Sequence, residues 1–394
     1  MDSVDVLIVG AGPAGVSTAL HLLKIDPAYG PRVVVIERAA SPRNKVCGGG
    51  VTGAGLDLLR HLRVALPTQT QPIRTVRFRR GQRILDFPER TGTVVVSRRD
   101  LDRCLLEGAR AASITVREGE AYQGCRRDGD RILVTSDKTR YACRVLVGAD
   151  GSASRVAVLF GARRMMGGLR VELPLSEESA EAQWEFQNAA MTFDFTPLSK
   201  GWYGYLWRFP SVGLGRKLLN LGFFYNRRRN TYGGLSPRQY LRDFVDDQGF
   251  PGLGRIQAAA IRPFRFRQAF SAPGILLAGD AIGTDPLLGE GISEAILGGK
   301  LAAEEIHEGL SRNDVSFTGY RHRVMASRLG SWFRSTWVLA RLFYSPMNSF
   351  WLRMVFESPS VRRYVQERFS GYPDFGRDKR ALLGLLLRYT LYRG

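Results

Sequence analysis

Val4-Asp5-Val6-Leu7-Ile8-Val9-Gly10-Ala11-Gly12-Pro13-Ala14-Gly15 decides how the rest of the chain is read. The β-branched run at 4–9 has the pattern of a buried parallel strand, and residues 14–23 follow with helical spacing, so the glycines fall on a strand-to-helix turn. Gly10 permits the tight turn, Gly12 lets the backbone approach a pyrophosphate, and Gly15 lets the helix close on the strand. The phosphate then rests on the helix N-terminus at Pro13 and Ala14. A second run at 33–36 ends in Glu37-Arg38, and an acid about 20 residues beyond the glycines accepts hydrogen bonds from a ribose. By itself Gly-x-Gly-x-x-Gly also fits a plain glycine-rich turn. Strand, helix and acid in register select the nucleotide reading.

Two later stretches repeat the strand-to-glycine pattern. Residues 141–149 form an apolar run into Asp150-Gly151-Ser152, and 274–278 run into Gly279-Asp280, with a helix beginning near Gly291. Three such signatures in this order point to FAD rather than NAD. At these residues the chain resembles the FAD-dependent oxidoreductases of the para-hydroxybenzoate hydroxylase type. The resemblance implies that Asp150-Gly151 lies near the pyrophosphate and that Asp280 contacts the ribityl-phosphate region. It also implies that Arg98, in Val96-Ser-Arg98-Arg99-Asp-Leu-Asp102, opens a helix beside the flavin. Arg99 is the alternative for that role, and a solvated charge at a helix end is the plain reading of either.

Arg43-Asn-Lys45-Val-Cys47-Gly48-Gly49-Gly50 and Gly279-Asp280-Ala-Ile-Gly-Thr-Asp-Pro286-Leu-Leu-Gly289-Glu290-Gly291-Ile292 are similar to the geranylgeranyl reductase family. So is Tyr203-Gly-Tyr205-Leu-Trp207-Arg-Phe209-Pro210, although Leu206 and Arg208 depart from the family's aromatic segment. The likeness spans about the first 310 residues. The candidate cofactor set is therefore Gly10, Gly12, Pro13, Ala14, Gly15, Glu37, Arg38, Lys45, Gly48, Gly49, Arg98, Ala121, Asp150, Gly151, Gly279, Asp280, Pro286, Gly289, Glu290, Gly291 and Ile292. Tyr203, Tyr205, Trp207 and Phe209 are the candidate substrate contacts.

Cys47 precedes three glycines, which leave the flavin face uncovered by side chains. A free thiol, ordinarily near pKa 8.5, is largely protonated at neutral pH. As the resemblance suggests, it could protonate a carbon that has just received hydride. The competing reading is a small packing residue, which Cys104 and Cys143 fit better, and Cys125 falls in a turn. The four cysteines have neither metal-type spacing nor a paired framework, so neither a metal site nor a disulfide scaffold is expected. His21, His61, His307 and His322 are scattered, and no nucleophile–histidine–acid arrangement is visible. No signal peptide precedes the first strand, and the expected setting is reduced and cytoplasmic.

The expected fold is α/β: a discontinuous Rossmann-like FAD-binding domain (1–60, 95–160 and 260–310), an antiparallel-sheet substrate domain (61–94 and 161–259) and a helical C-terminal region (311–394). Trp184, Phe186, Phe193, Phe195, Trp202 and the four aromatics of 203–209 exceed what one sheet face needs, so some should line an apolar pocket. Core packing competes with that reading for each. The net charge is +20, and residues 311–394 hold fifteen Lys/Arg against five Asp/Glu. That region mixes arginines with Trp332, Phe333, Trp337, Phe343, Tyr344, Phe350, Trp351 and Phe356, and 381–387 is apolar. No run reaches the roughly 18 apolar residues of a spanning helix. Helices lying on an anionic membrane surface, a bundle packed on the enzyme and a single-strand nucleic-acid face all fit this composition. No nucleic-acid module is recognisable, so no nucleic-acid partner is expected.

These readings converge on a reductase that saturates C=C bonds of a polyprenyl substrate, with hydride from reduced FAD and a proton from Cys47 or water. A monooxygenase or halogenase is the alternative, although the catalytic lysine and Trp-x-Trp-x-Ile-Pro segment expected of a halogenase cannot be placed. A quinone-linked electron-transfer flavoprotein would add an iron–sulfur site, which four dispersed cysteines do not suggest. No second glycine-rich fold is present, so the donor would be a transiently bound NAD(P)H or a ferredoxin-like protein.

Overall fold

A computed structural model describes residues 1–162, 166–174, 180–213, 215–226, 234–248, 254–369 and 384. Its larger sheet has eight strands, with Asp2–Val9 at the centre. Val33–Glu37 lies parallel on one side and Arg140–Gly148 parallel on the other. Thr115–Glu118 extends the first side, and Ile275–Leu277 extends the second. The hairpin Tyr122–Asp128 and Arg131–Ser136 adds to the beginning of Arg140–Gly148 in antiparallel fashion. Val6, Leu7, Ile8, Val145, Leu146 and Val147 are fully buried, as continuous apolar runs are in a parallel sheet covered on both faces.

Parallel pairing is what assembles the three signatures. Val9 is level with Gly148, and Gly148 with Leu277, so all three glycine turns leave the same edge of the sheet. The helices Pro13–Ile25 and Ile292–Ser311 pack closely there, with Gly299 against the Ala14 carbonyl and Ser17. A side chain at Gly15 would bring its Cβ to 1.8 Å from the Gly10 carbonyl oxygen, so only glycine fits.

The second sheet has seven strands, ordered Gln257–Ile261, Met166–Pro174, Arg216–Asn226, Gly204–Gly213, Ala190–Asp194, Thr75–Arg80 and Arg83–Pro88. It departs from the expected antiparallel sheet at one pair, since Ala190–Asp194 runs parallel to Thr75–Arg80. Trp184 and Phe186 also fall elsewhere than expected, on the helix Ala180–Gln187 rather than on a strand. Phe78, Phe87, Phe193, Phe195, Tyr205, Trp207 and Phe209 form one buried cluster. A small third sheet joins Gly50–Val51, Val94–Val96 and Thr70–Pro72.

Beyond Ser311 the described chain is helical: Tyr320–Ala326, Arg328–Phe343, Asn348–Glu357 and Pro359–Phe369. Its aromatics turn mostly inward. Trp332, Phe333, Tyr344 and Phe356 are buried, and Phe333 stacks on Phe264 with ring centres 4.4 Å apart. These four rings pack as in the bundle reading, because they cover apolar surface of the enzyme itself. The apolar stretch 381–387 lies, Gly384 apart, outside the described residues.

His21, on the helix Pro13–Ile25, donates from Nδ1 to the Ser17 carbonyl at 2.8 Å, and its buried Nε2 has no partner. Burial pushes its pKa from 6.5 down to about 4, with the Ser17 bond opposing and the charge of Lys300 adding to the fall. The unfolded chain gains a proton as pH drops through 6.5, whereas the folded protein gains it only near 4. Stability should therefore decline by about 3 kcal/mol across that window. Urea melts from pH 7 to pH 4 should show a shallower decline for His21→Gln, and identical slopes would refute the assignment.

Candidate active site

The helix Pro13–Ile25 opens at Gly12 with no side-chain cap. Its first N–H groups, Ala14 and Gly15, are left for an external acceptor, while Pro13 has none to offer. A Cβ on Gly12 would meet only the Arg43 guanidinium, at 3.4 Å, so the space in front of the turn is open. Glu37 is 5% exposed and accepts from the backbone N–H of Ala11 and of Ala39, each at 3.0 Å. Its carboxylate keeps further lone pairs for a ribose hydroxyl.

The second and third signatures meet at Lys45. Its Nζ lies 3.9 Å from Asp280 and 3.9 Å from where a Cβ on Gly151 would stand. Ser152, next to Gly151, donates to the Asp280 carboxylate at 3.2 Å, and Gly291 leaves the far side of that carboxylate bare. Asp150 accepts from the Arg155 N–H at 2.7 Å, while its other oxygen is buried without a partner. Burial raises its pKa, against the hydrogen bonds from Ser154 and the backbone.

Other members of the expected set fall at the margins. Arg38 is exposed. Ala121 follows Glu120, which bonds to the Glu37 carbonyl, but its own N–H is taken by Asp137 at 2.8 Å. Buried Gly279, Pro286 and Ile292 frame the loop before the late helix, and Gly289 faces the ring of Phe224. The Glu290 carbonyl receives the N–H of Asp285.

Cys47 lies where the two sheets face each other. The Gly49 N–H donates to its sulfur at 3.3 Å, and the charged Arg98 guanidinium is near enough to interact with it electrostatically. Arg98 is buried and paired with Asp102 at 2.8 Å, while Arg99 is exposed, so the structure resolves which arginine faces the site. Burial disfavours the charge on Arg98, yet Asp102 and Cys47 outweigh it and hold the guanidinium above its ordinary pKa. Arg43 forms an ion pair with the other Asp102 oxygen at 3.1 Å and approaches Glu37 at 3.7 Å, linking the nucleotide cradle to the Arg98–Asp102 pair beside Cys47.

Asn220 completes this arrangement and was not anticipated. Its amide donates to the carbonyls of Cys47 at 2.9 Å and Gly48 at 3.1 Å, and its oxygen accepts from Trp207 Nε1 at 3.1 Å. The sequence signal was a lone amide in Leu218-Leu219-Asn220-Leu221. A Cβ on Gly48 would stand 2.6 Å from the Phe209 ring, so Phe209 and Trp207 lie directly over the glycine loop. Tyr205 donates to the Leu288 carbonyl, and half-buried Tyr203 receives the Asn226 N–H on its own carbonyl. Among the described residues, no cluster of three or more His, Cys, Asp or Glu could hold a metal.

The uncapped helix, the open space before Gly12 and the carboxylates at the same sheet edge fit an FAD. Glycines and the helix terminus would hold its pyrophosphate, Glu37 a ribose, and the region of Lys45, Ser152 and Asp280 the ribityl end. The FAD binding domain family matches residues 3–200. Menaquinone reductase of Mycobacterium tuberculosis is 30% identical over 327 residues, spanning 77% of this chain and 76% of that protein. Digeranylgeranylglycerophospholipid reductase of Thermoplasma volcanium is 25% identical over 350 residues, spanning 80% and 81%. The chain belongs to the geranylgeranyl reductase family of FAD-dependent oxidoreductases. A solved geranylgeranyl bacteriochlorophyll reductase-like protein of Thermoplasma acidophilum shares the fold of this family member at a TM-score of 0.75. It is 18% identical, with 98% of this chain and 100% of that chain covered. Flavin-dependent halogenases share the fold too, so the fold alone does not select the reaction.

Proposed function

We propose that this oxidoreductase saturates C=C bonds in the polyprenyl chain of a lipid. The observation that carries this reading is the convergence on Cys47: a thiol beside bare Gly48, under Trp207 and Phe209, with the Gly49 N–H donating to its sulfur and the buried Arg98 cation near it. Bound FAD, once reduced, supplies the hydride. The apolar wall accepts an isoprenoid segment and excludes water, at about 25 cal/mol per Å² of buried apolar surface. Cys47 gives its proton to the second alkene carbon, and Arg98 with the Gly49 N–H is placed to stabilise the sulfur after that proton has left. Asn220 keeps the Cys47–Gly48 backbone fixed under the aromatic strand. Support for the substrate class comes from two relatives named for lipids, menaquinone and a digeranylgeranylglycerophospholipid. NAD(P)H or a ferredoxin-like protein is the proposed donor, and peripheral attachment to a membrane would bring enzyme and lipid together.

The test is anaerobic incubation of the reduced holoenzyme with menaquinone and with geranylgeranylated lipids, followed by mass spectrometry. Products should gain two hydrogens per bond reduced. Substrates that stay unchanged without oxygen but gain an oxygen atom in air would replace this reading with the monooxygenase one.

A further inference from the structure

The chain from 315 to 356 contains six arginines and no carboxylate. Within it, the turn between Arg328–Phe343 and Asn348–Glu357 carries Met347 outward at 58% exposure. Pro346 beside it is exposed, and Phe343 and Phe350 on either side are half-buried. Arginines ring this apolar tip. Arg341 and Arg353 are exposed on the two helices, and Arg353 forms no ion pair among the described residues. Arg80 reaches across from the neighbouring hairpin to the Ser349 hydroxyl at 2.8 Å. Desolvation, and then the nearby charges of Arg83 and Arg353, lower the Arg80 pKa, which marks three cations crowded on one face. Among the described residues, Arg83 is the one of these paired with a carboxylate, Glu357 at 2.8 Å.

We infer that this helix–turn–helix tip, with the Arg80–Arg83 corner of the hairpin, docks the enzyme on an anionic lipid bilayer. Charge complementarity selects that occupant. An apolar point flanked by arginines that outnumber the carboxylates beside them suits headgroup phosphates around inserted methyl and methylene groups. The inner side of the same tip is apolar. Phe343 and Trp351 line a cavity that continues to Leu287 and Leu288, and the Tyr344 hydroxyl donates to the Leu287 carbonyl. Leu287 and Leu288 belong to the loop after Asp280, so an apolar cavity lies between the docking face and that loop. This inference rests on the peripheral-attachment part of the proposed function, not on the reaction.

The test uses holoenzyme, vesicles of 3:7 phosphatidylglycerol to phosphatidylcholine, and vesicles of phosphatidylcholine alone. Wild type should sediment with the anionic vesicles, and raising salt towards 1 M, where the Debye length is about 3 Å, should release it. Met347→Glu with Arg353→Glu shifts the face by three charge units. At about five-fold per unit, anionic-vesicle partitioning should fall on the order of 100-fold. Both side chains are exposed, so melting temperature and flavin content should match wild type, and the milder Met347→Ser with Arg353→Gln serves if they do not. Wild-type binding that the variants leave unchanged overturns the docking face while leaving attachment in place. No binding of wild type to anionic vesicles, or equal binding to neutral ones, overturns both. Reduction of detergent-dispersed lipid, measured in parallel, reports on the reaction alone, so its failure would leave the docking face standing.

Discussion

Gly12→Val is expected to give a folded protein without flavin. The backbone at Gly12 is extended, with φ −81° and ψ −174°, which valine adopts readily. The only heavy atom within 4 Å of its new Cβ would be the end of the Arg43 side chain. The protein itself therefore accommodates the branch, at a capping cost of about 1 kcal/mol or less. A bound pyrophosphate does not, because the branch occupies the space through which it reaches the N–H groups of Ala14 and Gly15. Overpacking costs about 1–3 kcal/mol, and each lost charge-assisted hydrogen bond about as much again, so flavin affinity should drop on the order of 100-fold or more. Purified wild type should be yellow and release FAD on denaturation, and the variant should be colourless with a similar melting temperature. A variant that keeps stoichiometric FAD would show that the pyrophosphate lies elsewhere. Gly15→Val is the contrasting case, where the clash with the Gly10 carbonyl should abolish folding as well.

Cys47→Ser should keep its flavin and lose most of its prenyl reduction. Nothing in the nucleotide cradle depends on the sulfur, since Glu37, Asp150 and Asp280 are held by other partners. The hydroxyl can still accept from the Gly49 N–H, so the loop geometry survives. What changes is acidity, because a hydroxyl is a far weaker acid than a thiol. General acid catalysis contributes about 10²–10⁴-fold, and a single-turnover rate reduced within that range is the expected result, with reduction by the donor unaffected. A rate within about two-fold of wild type would assign the proton to water. Asn220→Leu separates positioning from acidity. It frees the Cys47 and Gly48 carbonyls while leaving the thiol, and should lower the rate without altering its pH dependence.

The nucleotide half was legible because local rules govern it. Residues 4–15 specify strand, turn and helix within a dozen positions, and the predicted helix opening near Gly291 begins at Ile292. Charge was legible as well, but not its arrangement. The arginine count of 311–369 says nothing about which face it occupies, and the inward turn of Trp332, Phe333 and Phe356 depends on apolar partners such as Phe264, distant in sequence. The antiparallel-sheet reading of 161–259 failed at Ala180–Gln187, where Trp184 sits under the Arg77 guanidinium, 3.3 Å from the ring centre, outside any strand.

The sequence by itself determined the three glycine signatures, the acid at Glu37 and the thiol before three glycines, because each is a short-range requirement of backbone geometry or chemistry. Only the tertiary structure decided that Arg98, not Arg99, faces Cys47, that Asn220 holds the Cys47 loop from another sheet, and that Lys45 links Gly151 to Asp280. The physical reason is that these relations span tens to more than two hundred residues. Parallel strand register and the packing of two sheets fix them, and neither leaves a periodic trace in the chain.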